Sequence, residues 1–249
     1  MKNNKLVCVA PMMAWTDKHC RFLHRQYTPS ALLFTEMVTT GALLHGNQTH
    51  LLDHDHCEHP VAIQLGGNDP LALAECAAMA EERGFGEVNI NVGCPSDRVQ
   101  KGTFGACLMR EPKLVADCIK AMRDQCSIPV TVKCRTGIQT KGDNNEFATM
   151  TFLQQFIRYI ADAGCKRVYL HARVAVLGGL SPAQNREIPP LTMEKAQNIK
   201  DLHPDLELIV NGGITELKQA EELLSWADGI MIGRAAYHNP TFLSQLEQK

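Results

Sequence analysis

The chain has 249 residues, of which 45% are hydrophobic and 21% charged, and its formal net charge is -2. These proportions belong to a folded globular chain about the size of one α/β barrel, and they exclude a disordered or fibrous polypeptide. No stretch is long and apolar enough to span a bilayer, and the lack of a basic excess argues, on composition alone, against a nucleic-acid binder.

Eight short apolar runs recur along the chain with helix-forming segments between them. The first, 6–11, follows Met1-Lys2-Asn3-Asn4-Lys5 with no apolar signal core ahead of it, the pattern expected of a cytoplasmic protein. Runs 32–37 and 61–65 come next, the latter closing on Gly66-Gly67. The fourth, Val88-Asn89-Ile90-Asn91-Val92, alternates like a buried strand and stops at Gly93-Cys94-Pro95, which cannot continue a ladder. Runs 129–135, 167–173, 206–211 and 229–234 complete the set. Helices are predicted over 70–83, 112–125, 149–163, 192–202 and 215–224. Pro70 and Pro112 suit a first helical turn, and Gly84 and Gly164 suit a helix end. Alternating strands and helices imply parallel pairing through crossovers. The fold class is therefore α/β, a closed (β/α)8 TIM barrel over residues 1–249.

In such a barrel, functional side chains gather at the C-terminal ends of the strands. Pro11-Met12, Glu36, Gln64, Asn91–Cys94, Lys133–Arg135, His171–Arg173, Asn211–Gly213 and Gly233-Arg234 all fall there. Two loops on the same face are long: the polar 137–145 after the fifth strand and 177–190 after the sixth.

Asn211-Gly212-Gly213-Ile214 and Gly233-Arg234 each end a strand and start a helix. Helix starts bind anions and glycine lets a phosphate come close. Barrels commonly hold phosphate after strands seven and eight, where Arg234 adds charge-assisted bonds. Lys133 either faces the lumen, ready for an anionic ring edge or a carbonyl, or snorkels outward. Gln64 has a donor and an acceptor, which suits an imide edge or a satisfied core amide. His171 holds phosphate or a ring carbonyl, or is structural. Cys94 is a nucleophile, a proton donor or an inert thiol. No neighbouring His completes a Cys–His pair, and a thiol with a pKa of about 8.5 is mostly protonated at neutral pH, which suits a general acid. The following loop carries Arg98, Lys101, Gly102 and Gly105, as a mobile lid over an anionic polymer would.

The segment Asp53-His54-Asp55-His56-Cys57-Glu58-His59 is rich in metal-binding residue types but lacks zinc spacing. It reads as a solvated loop at the barrel's opposite face, with no metal. The ten cysteines include no C-x-x-C pair, so they read as reduced thiols rather than a disulfide or iron–sulfur framework.

Together these residues resemble the tRNA-dihydrouridine synthases. Ala10-Pro11-Met12 with Thr16-Asp17 and Arg21-Phe22 is similar to that family's first motif. Asn89-Ile90-Asn91-Val92-Gly93-Cys94-Pro95, followed by Val99, Lys101, Gly105-Ala106 and Leu108-Met109, is similar to its signature. Lys133-Cys134-Arg135-Thr136-Gly137, His171-Ala172-Arg173 and Asn211-Gly212-Gly213-Ile214 follow in the family's order. The segment 179–191, including Asn185-Arg186-Glu187, resembles the A-type subgroup, which acts on positions 20/20a of the tRNA D-loop. Ala183 stands where many members carry lysine, removing one phosphate contact.

The resemblance implies an FMN enzyme. Pro11, Met12, Met13, Gln64, Lys133, His171, Asn211, Gly212, Gly213, Gly233 and Arg234 would hold FMN. Asn91 and Arg186 would touch tRNA, and Cys94 would be the proton donor. NADPH would reduce FMN, hydride would pass to uracil C6, and Cys94 would protonate C5. The family's C-terminal helical RNA-binding domain is expected to be missing from this chain, which accounts for the absent basic excess. Other readings are an FMN oxidoreductase of a free pyrimidine, like dihydroorotate dehydrogenase, a flavin-free sugar-phosphate barrel, and an RNA-binding barrel without catalysis.

Overall fold

The computed structural model describes residues 5–140, 142 and 144–248, and of Arg98 only the backbone. Met1–Asn4 and the expected Arg98 contact lie outside the described residues, as do Lys141 and Asp143 of the first long loop. The strands are β1 (Leu6–Val9), β2 (Leu32–Thr39), β3 (Val61–Gly66), β4 (Glu87–Val92), β5 (Val130–Arg135), β6 (Ile138–Thr140), β7 (Arg167–His171), β8 (Ala175–Leu177), β9 (Glu207–Asn211) and β10 (Gly229–Ile232). Eight of them close a parallel barrel in the order β1-β10-β9-β7-β5-β4-β3-β2. Each barrel strand thus pairs with its predecessor and successor among the barrel strands, and β10 closes on β1 from Leu6↔Gly229 to Val9↔Ile232. The predicted architecture and all eight barrel strands are observed.

The helices are α1 (Lys18–Tyr27), α2 (Thr40–Leu44), α3 (Pro70–Glu82), α4 (Asp97–Lys101), α5 (Pro112–Gln125), α6 (Met150–Asp162), α7 (Met193–Leu202), α8 (Leu217–Leu224), α9 (Arg234–His238) and α10 (Thr241–Glu247). Proline opens α3 and α5, as expected, and Asp69 caps α3 by accepting from the Ala72 N–H. The main core lies between sheet and helices, where outward strand residues such as Ile63, Val88 and Val132 meet Leu73, Ile119 and Phe156. A smaller apolar cluster inside the barrel includes Cys8, Phe34, Tyr169 and Met231.

Three features differ from the sequence reading. Helix α1 was not predicted, because it buries Arg21 and His24 while Phe22 and Leu23 are 52% and 48% exposed. Its apolar residues therefore do not mark its buried face. Arg21 is buried because its Nε donates to Glu58 at 2.6 Å and its Nη1 to the Thr16 carbonyl at 2.9 Å. The segment 53–59 is accordingly not simply a solvated loop: Glu58 is 2% exposed and anchors α1. Finally, the first long loop pairs in parallel, as β6, with β8, the short strand that leads into the second, and Ile138, Ala175 and Leu177 are buried there.

Candidate active site

A cavity of about 1100 Å³ opens at the C-terminal ends of the barrel strands. All fourteen residues expected to form the site border it: Pro11, Met12, Met13, Gln64, Asn91, Cys94, Lys133, His171, Arg186, Asn211, Gly212, Gly213, Gly233 and Arg234. The cysteine turn and both glycine turns therefore share one mouth of the barrel.

Cys94 is half-buried and its Sγ donates to Ser96 Oγ at 3.4 Å. Its turn is held from beneath. Asn91 Oδ1 accepts the Gly93 N–H at 3.1 Å and the Cys94 N–H at 2.8 Å. The following loop folds back so that the Ala106 N–H donates to the Cys94 carbonyl at 2.9 Å. Gly105 allows this closure: its φ is +73°, and a β-carbon there would lie 2.6 Å from the Cys94 oxygen. Asn91 is buried, its carbonyl is taken up by the turn, and one N–H donates to Gln64 Oε1 at 2.7 Å. A single N–H is left to face the cavity.

The strands beside the thiol turn, β5 and then β7, bring cationic side chains to the same mouth. Lys133 Nζ donates to Asn211 Oδ1 at 3.3 Å, and the Asn211 amide is aimed by its own bond to the Met231 carbonyl at 2.7 Å. Burial, with help from the Arg135 charge, pulls the Lys133 pKa down from 10.5 to about 8. The His171 imidazole is held well below its usual range by burial and by the Arg135, Lys133, Arg173 and Arg186 charges. At neutral pH it is an uncharged ring, one nitrogen donating and the other accepting. Arg234 Nη1 donates to Glu187 at 2.7 Å, in a pair whose side chains are 39% and 62% exposed.

The Gly212-Gly213 turn requires glycine. Gly212 has φ +123°, and a β-carbon would sit 2.9 Å from the His171 ring. Gly213 has φ +69°, and its β-carbon would meet Leu191 at 2.6 Å. Gly233 faces open space, with no atom within 4 Å of a β-carbon position.

The first motif divides into cavity-facing and structural parts. Pro11 to Met13 border the cavity. Thr16 Oγ1 accepts the Met12 N–H at 2.9 Å, Asp17 caps α1, and Arg21 anchors it. Glu36 steadies the same turn by accepting the Ala14 N–H at 2.5 Å.

Two residues carry more of the site than their place in a motif disclosed. Arg135 is 4% exposed; its Nε donates to the Gly93 carbonyl at 3.1 Å and its Nη1 to the Asn185 carbonyl at 2.8 Å. It fastens the thiol turn to the loop that carries Arg186. Asn185 is fully buried, accepts the Val176 N–H at 2.7 Å and donates to the Val176 carbonyl at 2.9 Å. It closes the long loop onto β8. The only sequence signal for either was that each lies within a motif; burial of a polar side chain is invisible in one sequence.

The profile of the dihydrouridine synthase (Dus) family matches residues 8–249. The chain belongs to the dihydrouridine synthase family. Its relatives include proteins named tRNA-dihydrouridine(20/20a) synthase. The one from Pseudomonas syringae pv. tomato is 54% identical over 241 residues, covering 97% of this chain and 70% of the relative. The Pseudomonas aeruginosa protein is also 54% identical over 241 residues, covering 97% and 71% respectively. The Vibrio cholerae protein is 52% identical over 250 residues, covering 100% of this chain and 74% of the relative. The family match spans the turn that carries Cys94, both glycine turns and the Lys133 strand.

Proposed function

We propose that this chain reduces uridine to 5,6-dihydrouridine in the D-loop of tRNA, at positions 20/20a, as the catalytic barrel of a flavin enzyme. One observation carries the reading: a half-buried thiol, a lysine on the neighbouring strand and two glycine turns line one open cavity. The names of relatives more than 50% identical supply the substrate.

The residues present fit FMN. Lys133 is a half-buried ammonium with one acceptor, at 3.3 Å, so an anionic ring edge would improve its surroundings. Gln64 keeps one N–H and one lone pair after bonding Asn89 and Asn91, enough for an imide. His171 offers a neutral ring to a carbonyl. Gly212, Gly213, Gly233 and Arg234 surround space for a phosphate, and Arg234 would exchange Glu187 for it. Half-exposed pairs are worth about 0–1 kcal/mol, so this exchange costs little. Pro11, Met12, Met13 and Asn211 complete the cradle. When bound, the flavin supplies the hydride for uracil C6, NADPH having reduced it.

This chain's own residues do the rest. Cys94 holds the proton and delivers it to C5. Asn91 keeps the thiol's turn in place and offers its remaining N–H to the base. Arg186, exposed on the loop that Arg135 and Asn185 fix, meets the RNA backbone. The uridine has to leave its stack to reach the cavity.

The test begins with the absorbance of the purified protein after FMN addition, and the mass of the chromophore released from it. NADPH-dependent dihydrouridine formation on intact tRNA, with free uracil as the comparison, completes it. A protein that binds no FMN, or one that reduces free uracil as fast as tRNA, overturns the reading.

A further inference from the structure

A file of polar side chains runs down the barrel interior from the thiol turn. Above it, Asn91 Oδ1 accepts the Gly93 and Cys94 N–H groups. Asn91 Nδ2 donates to Gln64 Oε1 at 2.7 Å, and Gln64 Nε2 donates to Asn89 Oδ1 at 2.8 Å. Asn89 Nδ2 donates to Thr131 Oγ1 at 2.9 Å, and Thr131 donates to Glu87 Oε1 at 2.7 Å. Every bond points toward Glu87. Glu87, Asn89 and Asn91 alternate along β4 and so share its inward face. Four residues of strand separate the first from the last by roughly 13 Å.

Glu87 is 2% exposed and lies at the end of the barrel away from the cavity. It also accepts the Tyr169 hydroxyl at 2.8 Å and Arg167 Nη1 at 2.7 Å. Arg167 is shared with Glu207 at 2.6 Å. Burial pushes the Glu87 carboxyl up, while Arg167 and the two hydroxyls oppose it. A guanidinium only donates, so it demands an acceptor on its side of the carboxyl.

A chain of amides and a hydroxyl can run in either sense, because each amide reverses by flipping. A terminal carboxylate, which only accepts, selects one sense. The reverse sense would set Asn91 Nδ2 against the N–H groups of Gly93 and Cys94. It would also turn round the edge that Gln64 shows the cavity. A buried donor left without an acceptor is costly, so the reverse sense is disfavoured. We propose that Glu87 is a positioning residue that, through this one-way chain, holds the Cys94 turn and the Gln64 amide in the orientation seen. The effect on turnover rests on the role proposed above for Cys94; the positional claim does not.

Two isosteric variants test it. In E87Q, Arg167 keeps the introduced carbonyl oxygen, which leaves the amide N–H facing the Thr131 and Tyr169 hydroxyls. Thr131 no longer has an obligatory acceptor there, so the selection of one sense is lost. T131V removes the link between Asn89 and Glu87 and leaves Glu87 its bonds from Tyr169 and Arg167. Cys94 alkylation by iodoacetamide is followed on its own peptide, with the exposed Cys57 as internal standard. The expected result in each variant is a Cys94 rate raised about threefold or more, an unchanged Cys57 rate, and dihydrouridine formation slowed about tenfold, the equivalent of one lost buried hydrogen bond. The E87Q/T131V double variant is expected to be no worse than E87Q alone, because one chain cannot be cut twice. Unchanged Cys94 labelling in a folded T131V overturns the proposal, and so do additive effects in the double variant. If E87Q does not fold, T131V still decides. Altered labelling in a protein whose unsubstituted form makes no dihydrouridine upholds the positional claim and removes the proposed function instead.

Discussion

Lys133 offers the sharpest quantitative test of the site. Without a ligand, its pKa is drawn from 10.5 to about 8, chiefly by burial. That depression corresponds to roughly 3 kcal/mol by which the ligand-free site disfavours the ammonium. The folded chain therefore binds fewer protons than the unfolded chain between pH 8 and 10.5, and its stability rises with pH across that window. Below pH 8 the destabilisation is present in full. An anionic ring edge beside Nζ raises the pKa again, so binding takes up a proton within the same window. If the ordinary value is restored, the affinity for reduced FMN, whose ring edge is anionic, falls about 30-fold between pH 7 and pH 9.5. Anaerobic titrations with reduced FMN, followed by absorbance across that range, measure this. Lys133→Met is the control, since other groups also titrate there. It is expected to bind FMN more weakly at pH 7 and to lose most of the slope. A Met variant whose affinity falls with pH as steeply as the parent's would refute the assignment of Lys133 to the anionic edge.

Four further outcomes are expected. Cys94→Ala retains FMN and its reduction by NADPH but stalls dihydrouridine formation by at least about a hundredfold, in line with loss of a general acid; a normal product rate in stopped-flow assays ends that assignment. Arg234→Ala weakens FMN binding by about tenfold, a charge-assisted bond less the half-exposed Glu187 pair, and an unchanged Kd removes its phosphate role. Gly212→Ala forces a β-carbon to 2.9 Å from the His171 ring at φ +123°; it is expected to lower both Tm and FMN affinity, with strain of about 1–3 kcal/mol. Asn185→Ala strips the long loop of its buried amide and is expected to cost about 1–3 kcal/mol. It should raise the KM for tRNA more than it changes flavin affinity, and limited proteolysis should cut first within 177–190.

The barrel itself was legible because its signal is local. Inward and outward faces alternate along strands such as 88–92, and prolines and glycines bracket the helices between them. Helix α1 was hidden because its buried face is Arg21 and His24, stabilised by Glu58 and the Ala236 carbonyl, the latter more than 200 residues away in sequence. The pairing of β6 with β8 was equally hidden, since it depends on two separate segments meeting.

The site divides in the same way. Which strand-end residues reach the cavity followed from the sequence, because strand ends and glycine turns dictate which residues face the barrel mouth; Arg186 came from the family resemblance, and His50 and Asp53 also border the cavity, although 53–59 reads from sequence as lying on the opposite face. The state of those side chains did not follow. That Lys133 is an impoverished ammonium, His171 neutral and Asn91 engaged with the thiol's turn depends on burial and on charges from other strands. The polar positions 87, 89 and 91 were visible at strand spacing, yet their direction toward Glu87 was not. Hydrogen bonds between neighbouring strands set that direction, and barrel closure decides which strands are neighbours.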